Sequence, residues 1–298
     1  MTIAVLMSTY NGEKYIDQQL ESLYNQTIKD SMSIHVRDDG SKDSTIAIIE
    51  SWKDRLNIQM TVGNNVGPAE SFWEMMMNKE ISADYYAFCD QDDIWDPDKL
   101  SIAMKHLKDN VHLYMCNCRA IDDNGTVFEE RRKKVKPVIN LPALFVSGVS
   151  QGCSMVFTSE LRNYIIGMNI PCIPMHDLIV TMYALTYGEV FWDLNPHFSY
   201  RFHSNNVVAK QNKSLLEKYN TTIRSWKKGA QNSLAYVAQE ILENTKEFSV
   251  DDKQYLKEMS SYKYSLKSRF HLCCDKRLKG TNKYALRSYR IKLLLRLL

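Results

Sequence analysis

Residues 85–93 read Tyr-Tyr-Ala-Phe-Cys-Asp-Gln-Asp-Asp, an apolar run that ends in three carboxylates. A short run of this kind, rich in aromatic side chains, is typical of a buried β-strand. A helical pattern begins near Pro97, so the carboxylates are expected between a strand and a helix. Because neighbouring carboxylates repel one another unless a cation offsets their charge, the stretch predicts a cation-binding loop. The alternative is a solvated acidic turn that caps the following helix.

The same arrangement of an apolar run followed by polar residues occurs at two earlier points of the chain. Residues 3–7 precede Ser8-Thr9-Tyr10-Asn11, and residues 34–36 lead into Asp38-Asp39-Gly40-Ser41. Helical patterns separate the runs, and this alternation is typical of βαβ units in a mainly parallel sheet with helices on both faces. Because such sheets bind ligands at the carboxyl ends of their strands, we expect the polar segments to meet at one edge.

Each polar segment has a chemistry that suits part of a nucleotide. The hydroxyl groups and the aromatic ring of residues 8–11 suit contact with a base, and a carboxylate of residues 38–41 can accept the imide N–H of a pyrimidine. Mg²⁺ and Mn²⁺ take oxygen ligands and bridge to substrate phosphates, which suits Asp90 and Asp92. Taken singly, each segment is equally explained as a turn or a helix N-cap. Their succession at strand ends favours a nucleotide site.

The charge of the chain is unevenly distributed. The net charge is +3 over 298 residues, but residues 263–296 hold eleven Lys and Arg against the single acid Asp275 and so carry +10. The remainder therefore carries −7. Residues 284–298 have the pattern of a basic amphipathic helix, which suits an anionic membrane surface. Packing on the body of the protein or on a second copy is the alternative, and nucleic acid is disfavoured because no known motif accompanies the charge.

The sequence also favours a location inside the cell. The chain begins without the basic leader and apolar core of a secretory signal, and no apolar run approaches the roughly 18 residues of a membrane-spanning helix. Seven cysteines occur in or beside apolar stretches without a C-x-x-C pair, which predicts buried reduced thiols. We therefore expect a cytoplasmic protein, peripheral on the inner face of the cell membrane through its basic helix.

Four segments together resemble the motif set of the family 2 glycosyltransferases: Ser8-Thr9-Tyr10-Asn11-Gly12, Asp38-Asp39-Gly40-Ser41, Asn65-Val66-Gly67 and Asp90-Gln91-Asp92-Asp93. The resemblance implies the α/β fold called GT-A, a Rossmann-like, mainly parallel sheet, with an α-helical region added at the C-terminus. It implies that the segments bind a nucleotide sugar through Ser8, Tyr10, Asn11, Asp39, Asn65, Gly67 and Asp90. Asp92 would be the direct ligand of Mn²⁺ or Mg²⁺, with Asp90 nearer the ribose and the metal-bound waters.

The second half of the chain resembles the rhamnosyltransferase-type branch of this family. The matching segments are residues 150–157, Met175-His176-Asp177 and residues 200–207. In that branch an acid before an apolar helix is the catalytic base, which implies that role for Asp177. The resemblance also puts Arg201 and His203 near the donor diphosphate, with His203 as a further candidate metal ligand. Without the resemblance, Asp177 reads as a helix N-cap and His203 as an ordinary strand histidine.

The resemblance implies an inverting, metal-dependent transfer of one sugar to an acceptor hydroxyl. The expected donor is dTDP-rhamnose, otherwise a UDP-hexose or UDP-N-acetylhexosamine, and the expected acceptor is a lipid-linked bacterial cell-surface polysaccharide. Residues 1–210 would form the catalytic domain, with a nucleotide-sugar-binding half (1–118) and an acceptor-side half (119–210). Residues 211–298 would form the helical, basic region, and a homo-oligomer is a further expectation.

Two other functions compete with this interpretation. A nucleotidyltransferase would make the sugar nucleotide, but such enzymes usually carry a Gly-rich basic loop after the first strand, and residues 8–14 hold one Gly and one Lys. A catalytically inactive sugar-nucleotide-binding scaffold is the second rival. The presence of Asp90, Asp92 and Asp177 argues against it.

Overall fold

The computed structural model describes residues 1–149, 151–170, 173–203, 233–245 and 248–298. Strands and helices alternate along the first half of the chain, and helices alone occupy the described part of the C-terminal region. The strands are β1 (Ile3–Thr9), β2 (Met32–Asp38), β3 (Ile58–Val62), β4 (Tyr85–Asp90), β5 (Ile94–Trp95), β6 (Val111–Ile121), β7 (Val127–Glu129), β8 (Met155–Thr158) and β9 (Glu189–Arg201). The helices are α1 (Ile16–Tyr24), α2 (Thr45–Ser51), α3 (Pro68–Met77), α4 (Lys99–His106), α5 (Leu141–Val146), α6 (Ser159–Ile166), α7 (His176–Tyr187), α8 (Ser233–Asn244), α9 (Val250–Ser261), α10 (Leu266–Cys274) and α11 (Lys283–Leu295).

The strands form one mixed sheet in the order β3-β2-β1-β4-β8-β6-β9-β5, with β7 paired to β6. The first four strands are parallel, as the alternation of strands and helices predicts. β8 is antiparallel to both of its neighbours, and β6 is parallel to β9. The predicted α/β sheet with an added helical region is therefore confirmed.

The central strand β1 is buried on both faces of the sheet. Residues Ile3 to Met7 are all at most 1% exposed, and a strand buried on both faces reads as a continuous apolar run. In the register, Ser8 is opposite Asp90 of β4 and Arg37 of β2. The polar residues that follow these strands consequently emerge at one edge of the sheet.

The chain divides into two compact units, whose segments interleave along the sequence. They are Met1–Lys136, Ser150–Ile166 and Met175–His203 in the first unit, and Pro137–Val149, Gly167–Pro174 and Ser204–Leu298 in the second. The predicted boundary between residues 210 and 211 lies outside the described residues. So does the end of the motif predicted over residues 200–207, beyond His203, and Ser150 at the start of the motif over residues 150–157.

The second unit has its own apolar core. Tyr255 of α9 and Tyr289 of α11 are buried and hydrogen-bonded to each other through their hydroxyl groups at 2.7 Å. Leu256, Met259 and Leu293 are fully buried in the same unit. The helices in the described ranges are each too short or too polar to cross a bilayer.

Candidate active site

The end of β1 carries the first group of predicted nucleotide-binding residues. Ser8 donates a hydrogen bond to the hydroxyl of Ser71 at 2.7 Å, and the ring of Tyr10 is 45% exposed. The backbone of Tyr10 is fixed by Gln91, whose amide accepts from the Tyr10 N–H at 2.9 Å and donates to its carbonyl at 3.1 Å. Gln91 belongs to the acidic loop, which we define as residues 90–93 at the end of β4. One side chain therefore joins the predicted base-binding segment to the predicted metal-binding segment.

The end of β2 separates two adjacent aspartates by function. Asp38 is fully buried and accepts hydrogen bonds from the Thr9 hydroxyl, from the Gly40 N–H and from both the N–H and the hydroxyl of Ser41. These bonds commit Asp38 to shaping the turn. Asp39, the predicted nucleoside residue, is also buried and forms an ion pair with Arg37.

Asp39 also organises the loop that holds Asn65 and Gly67. Its Oδ2 accepts from the backbone N–H groups of Val66 and Gly67, at 3.2 and 2.9 Å. Gly67 has a φ of +86°, a conformation that glycine adopts without strain. Asn65 is exposed, and Asn11 accepts from the Lys42 N–H through its side chain at 2.9 Å. The residues predicted from the first three motifs therefore lie at the end of β1 and on the loops beside it, and hydrogen bonds between the motifs hold these loops in place.

The acidic loop after β4 contains a third aspartate whose role the sequence did not distinguish. Asp93 is 1% exposed and accepts from the backbone N–H of Arg201 at 3.3 Å. Ligand atoms of Asp90, Asp93 and Cys153 all lie within 4.8 Å of one another. The thiol of Cys153 therefore lies beside two carboxylates, and burial, followed by those two charges, keeps its pKa well above the ordinary value.

Burial and repulsion determine the charge of this loop. Burial raises the pKa of Asp90 to about 7, and the neighbouring charge of Asp92 and, less strongly, that of Asp177 act in the same direction. Burial, together with Asp92 and Asp90, also raises the pKa of Asp93 well above its usual range. The fully buried Lys99 opposes the shift of Asp90. The loop thus concentrates negative charge where a positive ligand would relieve its repulsion.

Arg201 and His203, at and beyond the end of β9, contact this loop from different sides. The fully buried guanidinium of Arg201 donates to the carbonyl oxygens of Asp92, Asp122 and Asp123 at 2.9 to 3.2 Å. These contacts fix the backbone of the acidic loop. The predicted contact of Arg201 with the donor diphosphate stays a prediction.

His203 pairs with the side chain of Asp92. Its Nε2 lies 2.7 Å from Asp92 Oδ2, and the ring packs on Tyr15 with 4.9 Å between ring centres. To bind a cation through Nε2, the ring would have to release Asp92. Carboxylate oxygens, such as those of Asp90 and Asp92, are the ligands that Mn²⁺ and Mg²⁺ prefer. The two carboxylates therefore fit a divalent ion, with His203 as the partner that orients Asp92.

Asp177, the predicted base, lies in the first turn of α7. Burial raises its pKa to about 6, although the N–H groups of Leu178 and Gly152 donate to the carboxylate and oppose that shift. The charge of Asp177 also acts on Asp90 and raises the pKa of that carboxyl. A carboxylate with this pKa is ionised at neutral pH and is more basic than a free one.

His176, which precedes Asp177, is a buried neutral residue. Burial lowers its pKa to about 3, and its ring packs 4.3 Å from that of Phe72 and 4.7 Å from that of Phe88. A Cβ at Gly152 would lie 2.5 Å from Nε2 of His176, so the absence of a side chain at position 152 makes room for the ring.

The structure brings together Asp90, Asp92, Asp177 and His203, and it connects them to residues 8–11 through Gln91. Several residues that support this arrangement were not identified from the sequence: Arg37, Gln91, Asp93, Lys99 and Cys153. Gln91 and Asp93 belong to the quoted acidic motif and Cys153 to the motif over residues 150–157, so their positions were usable indications. Arg37 and Lys99 stand in stretches whose residue types are common in strands and helices.

Comparison with known proteins identifies the family of the chain and supports its fold. The sequence model described as Glycosyl transferase family 2 matches residues 4–182. The dTDP-rhamnosyl transferase RfbG of Shigella flexneri is 31% identical over 228 residues, which cover 72% of this chain and 76% of that protein.

Solved structures at lower identity show the fold. TarS 1-349 from S. aureus, in complex with UDP-GlcNAc, matches with a TM-score of 0.62 at 18% identity, covering 98% of this chain and 89% of that one. The mannosyltransferase PcManGT from Pyrobaculum calidifontis, in complex with GDP-Man and Mn²⁺, matches with a TM-score of 0.56 at 15% identity, covering 98% and 86%. The predicted GT-A fold is confirmed, and the chain belongs to glycosyl transferase family 2.

Proposed function

We propose that this glycosyltransferase moves a sugar from a nucleoside diphosphate to an acceptor hydroxyl with inversion at the anomeric carbon. The observation that carries the proposal is the position of Asp177, a half-buried carboxylate in the first turn of α7 whose charge acts on Asp90 of the acidic loop. A single base beside a diphosphate site suits one in-line displacement, in which the acceptor oxygen attacks opposite the leaving group.

The residues divide the reaction between them. Asp177 accepts the proton of the acceptor hydroxyl as its oxygen bonds to the anomeric carbon, and the bond to the diphosphate breaks. Ser8, Tyr10, Asn11, Asp39, Asn65 and Gly67 surround the nucleoside. Asp90 and Asp92 would hold Mn²⁺ or Mg²⁺, and a bound ion would supply positive charge for the departing diphosphate. His203 keeps Asp92 oriented through the 2.7 Å contact.

The test of the reaction is a pair of assays on the wild type and on Asp177→Asn. With a suitable donor and acceptor, we expect transfer by the wild type and a fall in kcat of roughly 100-fold or more in the variant, with donor affinity unchanged. NMR of the first-formed product reports the anomeric configuration. A retained configuration, or near-normal turnover by the variant, would contradict the mechanism.

We propose dTDP-rhamnose as the donor. The support is the 31% identity with the dTDP-rhamnosyl transferase of Shigella flexneri over most of both chains. The TarS complex with UDP-GlcNAc keeps UDP-hexoses and UDP-N-acetylhexosamines as the alternative. Thermal melting with a panel of nucleotide sugars and Mn²⁺ separates them, because a ligand raises Tm in proportion to its binding free energy. A larger shift with UDP-GlcNAc than with dTDP-rhamnose would reassign the donor.

We further propose a lipid-linked polysaccharide acceptor and a position on the inner face of the cell membrane. The support is the outer face of α11, where Tyr284, Leu294 and Leu295 are 57 to 88% exposed beside the exposed Arg287 and Arg290. Apolar and basic side chains on one face suit an anionic bilayer.

The inner face of α11 has a different role. Tyr289 and Leu293 are at most 2% exposed and pack within the second unit, so removing the whole helix would also remove part of a core. Point substitutions on the outer face avoid this difficulty. Binding of the full chain to vesicles that contain anionic lipid, weakening as salt rises, would support the proposal. Self-association without vesicle binding would favour the alternative.

Both rival functions are distinguished by one experiment. The donor is incubated without acceptor, with and without added pyrophosphate. A glycosyltransferase hydrolyses the donor slowly in both cases, a nucleotidyltransferase converts donor and pyrophosphate to a nucleoside triphosphate and a sugar 1-phosphate, and an inactive scaffold gives no turnover. The same incubation with Asp177→Asn should abolish the hydrolysis, because water then lacks its base.

A further inference from the structure

Lys99, the first residue of α4, is a lysine with no solvent exposure. Buried lysines are rare, because burial disfavours the ammonium form, and burial lowers the pKa of Lys99 below its ordinary value. Its Nζ donates a hydrogen bond to the carbonyl oxygen of Cys153 at 2.8 Å and lies 3.0 Å from the centre of the Trp95 ring. These contacts hold the charged group at one defined place.

The ammonium group acts on the acidic loop from the interior of the protein. Burial is the main influence on the pKa values of Lys99, Asp90 and Asp93. In Lys99 the buried thiols of Cys116, Cys153 and Cys89 and, less strongly, Asp93 oppose it, and in Asp90 the charge of Lys99 opposes it. Lys99 therefore offsets part of the negative charge at the end of β4.

The hydrogen-bond partner of Lys99 lies in a turn that also contacts Asp177. Cys153 is the middle residue of the 3-10 turn Gly152–Ser154. The backbone N–H of Gly152 donates to the carboxylate of Asp177. Gly152 also has no side chain, and this leaves room for the ring of His176. The turn thus contacts the buried Lys99 through Cys153 and the proposed base, Asp177, through Gly152.

We propose that Lys99 is a positioning residue that fixes the turn Gly152–Ser154 and, through it, the orientation of Asp177 relative to the acidic loop. The proposal rests on the proposed function, in which Asp177 is the base. A charge-assisted hydrogen bond to a buried carbonyl is stronger than a neutral one, so Lys99 restrains the Cys153 peptide more firmly than a neutral donor would. Small displacements of a base reduce turnover without weakening donor binding.

The first test is Lys99→Met, which keeps the apolar stem against Trp95 and removes the charge and the hydrogen bond. Lys105→Met, at an exposed position of the same helix, is the matched control. For Lys99→Met we expect kcat per folded molecule to fall about tenfold or more, with the donor KM within about twofold of the wild type. The control should match the wild type in both constants.

The decisive test is a double-mutant cycle with Asp177→Asn. If Lys99 acts through Asp177, the double variant should turn over no more slowly than Asp177→Asn alone, because the two effects share one step. Independent effects that multiply would overturn the proposal, as would an unchanged kcat or a loss confined to KM.

Gly152→Ala tests the same connection at its Asp177 end, and it replaces Lys99→Met as the test if that variant does not fold. The added Cβ would displace His176 next to Asp177, so we again expect a lower kcat that is absent in the Asp177→Asn background. Wild-type turnover by Gly152→Ala would overturn the proposal. Failure of the proposed function looks different, since Asp177→Asn would then retain full turnover.

Discussion

Replacing Asp177 by asparagine should destroy turnover and at the same time stabilise the fold. Burial raises the pKa of this carboxyl from 3.8 to about 6, so the folded chain pays a cost for its ionised form. At about 1.4 kcal/mol per pKa unit, the cost is at most about 3 kcal/mol above the folded pKa. Asparagine retains an acceptor for the N–H groups of Gly152 and Leu178 but carries no charge. We therefore expect Tm to rise by a few degrees at pH 8.

The sign of this effect depends on pH in a defined way. The folded pKa is raised, so the stability that the protonated carboxyl contributes is fully present below 3.8 and is lost as pH rises through about 6. The advantage of Asp177→Asn should accordingly grow over that window and stay constant above it.

Thermal melts between pH 5 and 8 measure this difference, and turnover at pH 8 checks the base. Asp251→Asn is the matched control, because Asp251 also lies in the first turn of a helix but is exposed. A difference in Tm that does not vary with pH would refute the reasoning that Asp177 is ionised at a cost. Normal turnover by the stabilised variant would refute its role as base.

Three further predictions follow from the site and from α11. Asp92→Asn should abolish the Mn²⁺-dependent rise in Tm that the donor causes, yet the variant should melt at or slightly above the wild-type temperature, because Asp92 repels Asp90. Thermal shift with and without chelator measures this, and a full Mn²⁺ response by the variant would contradict it. The kcat of the wild type should rise with pH through about 6 as Asp177 loses its proton, and a pH–rate profile that falls over this range would exclude Asp177 as base. Replacing Leu294 and Leu295 together by serine should reduce sedimentation with anionic vesicles by roughly tenfold at unchanged Tm. Phe128→Ser, at another exposed position, should bind the vesicles as the wild type does, and equal binding by both variants would exclude this face of α11 as the membrane-binding surface.

The sequence predicted the parallel half of the sheet better than the mixed half. The runs before Ser8, Asp38 and Asp90 are apolar, short and separated by helical patterns, so local pattern and tertiary pairing agree. β8 follows an apolar stretch as well, but nothing local shows that Met155–Thr158 pairs antiparallel between β4 and β6. Strand order across a sheet depends on contacts between segments that are distant in sequence, which periodicity does not record.

The candidate site divides along a similar line. Carboxylates after strands are visible as motifs, because their residue types are unusual at those positions. Lys99 is not, since a lysine at the start of an amphipathic helix is ordinarily solvated, and only the packed structure shows it buried against Trp95. Arg201 illustrates the same limit, because its guanidinium is engaged with carbonyl groups of the acidic loop.

The crowding of carboxylates at the end of β4 links the stability of the fold to its proposed chemistry. Burial and mutual repulsion raise the pKa values of Asp90 and Asp93, so their ionised forms are less stable here than in water. Lys99 offsets part of that charge from the interior, where its position is fixed. The remaining charge, at Asp92 beside His203, is the part that a divalent ion would offset under the proposed function. A protein that neutralised the whole cluster internally would fold more easily but would have no charge left with which to hold the ion. The partial compensation by Lys99 therefore agrees with the proposed binding of a divalent ion at this loop.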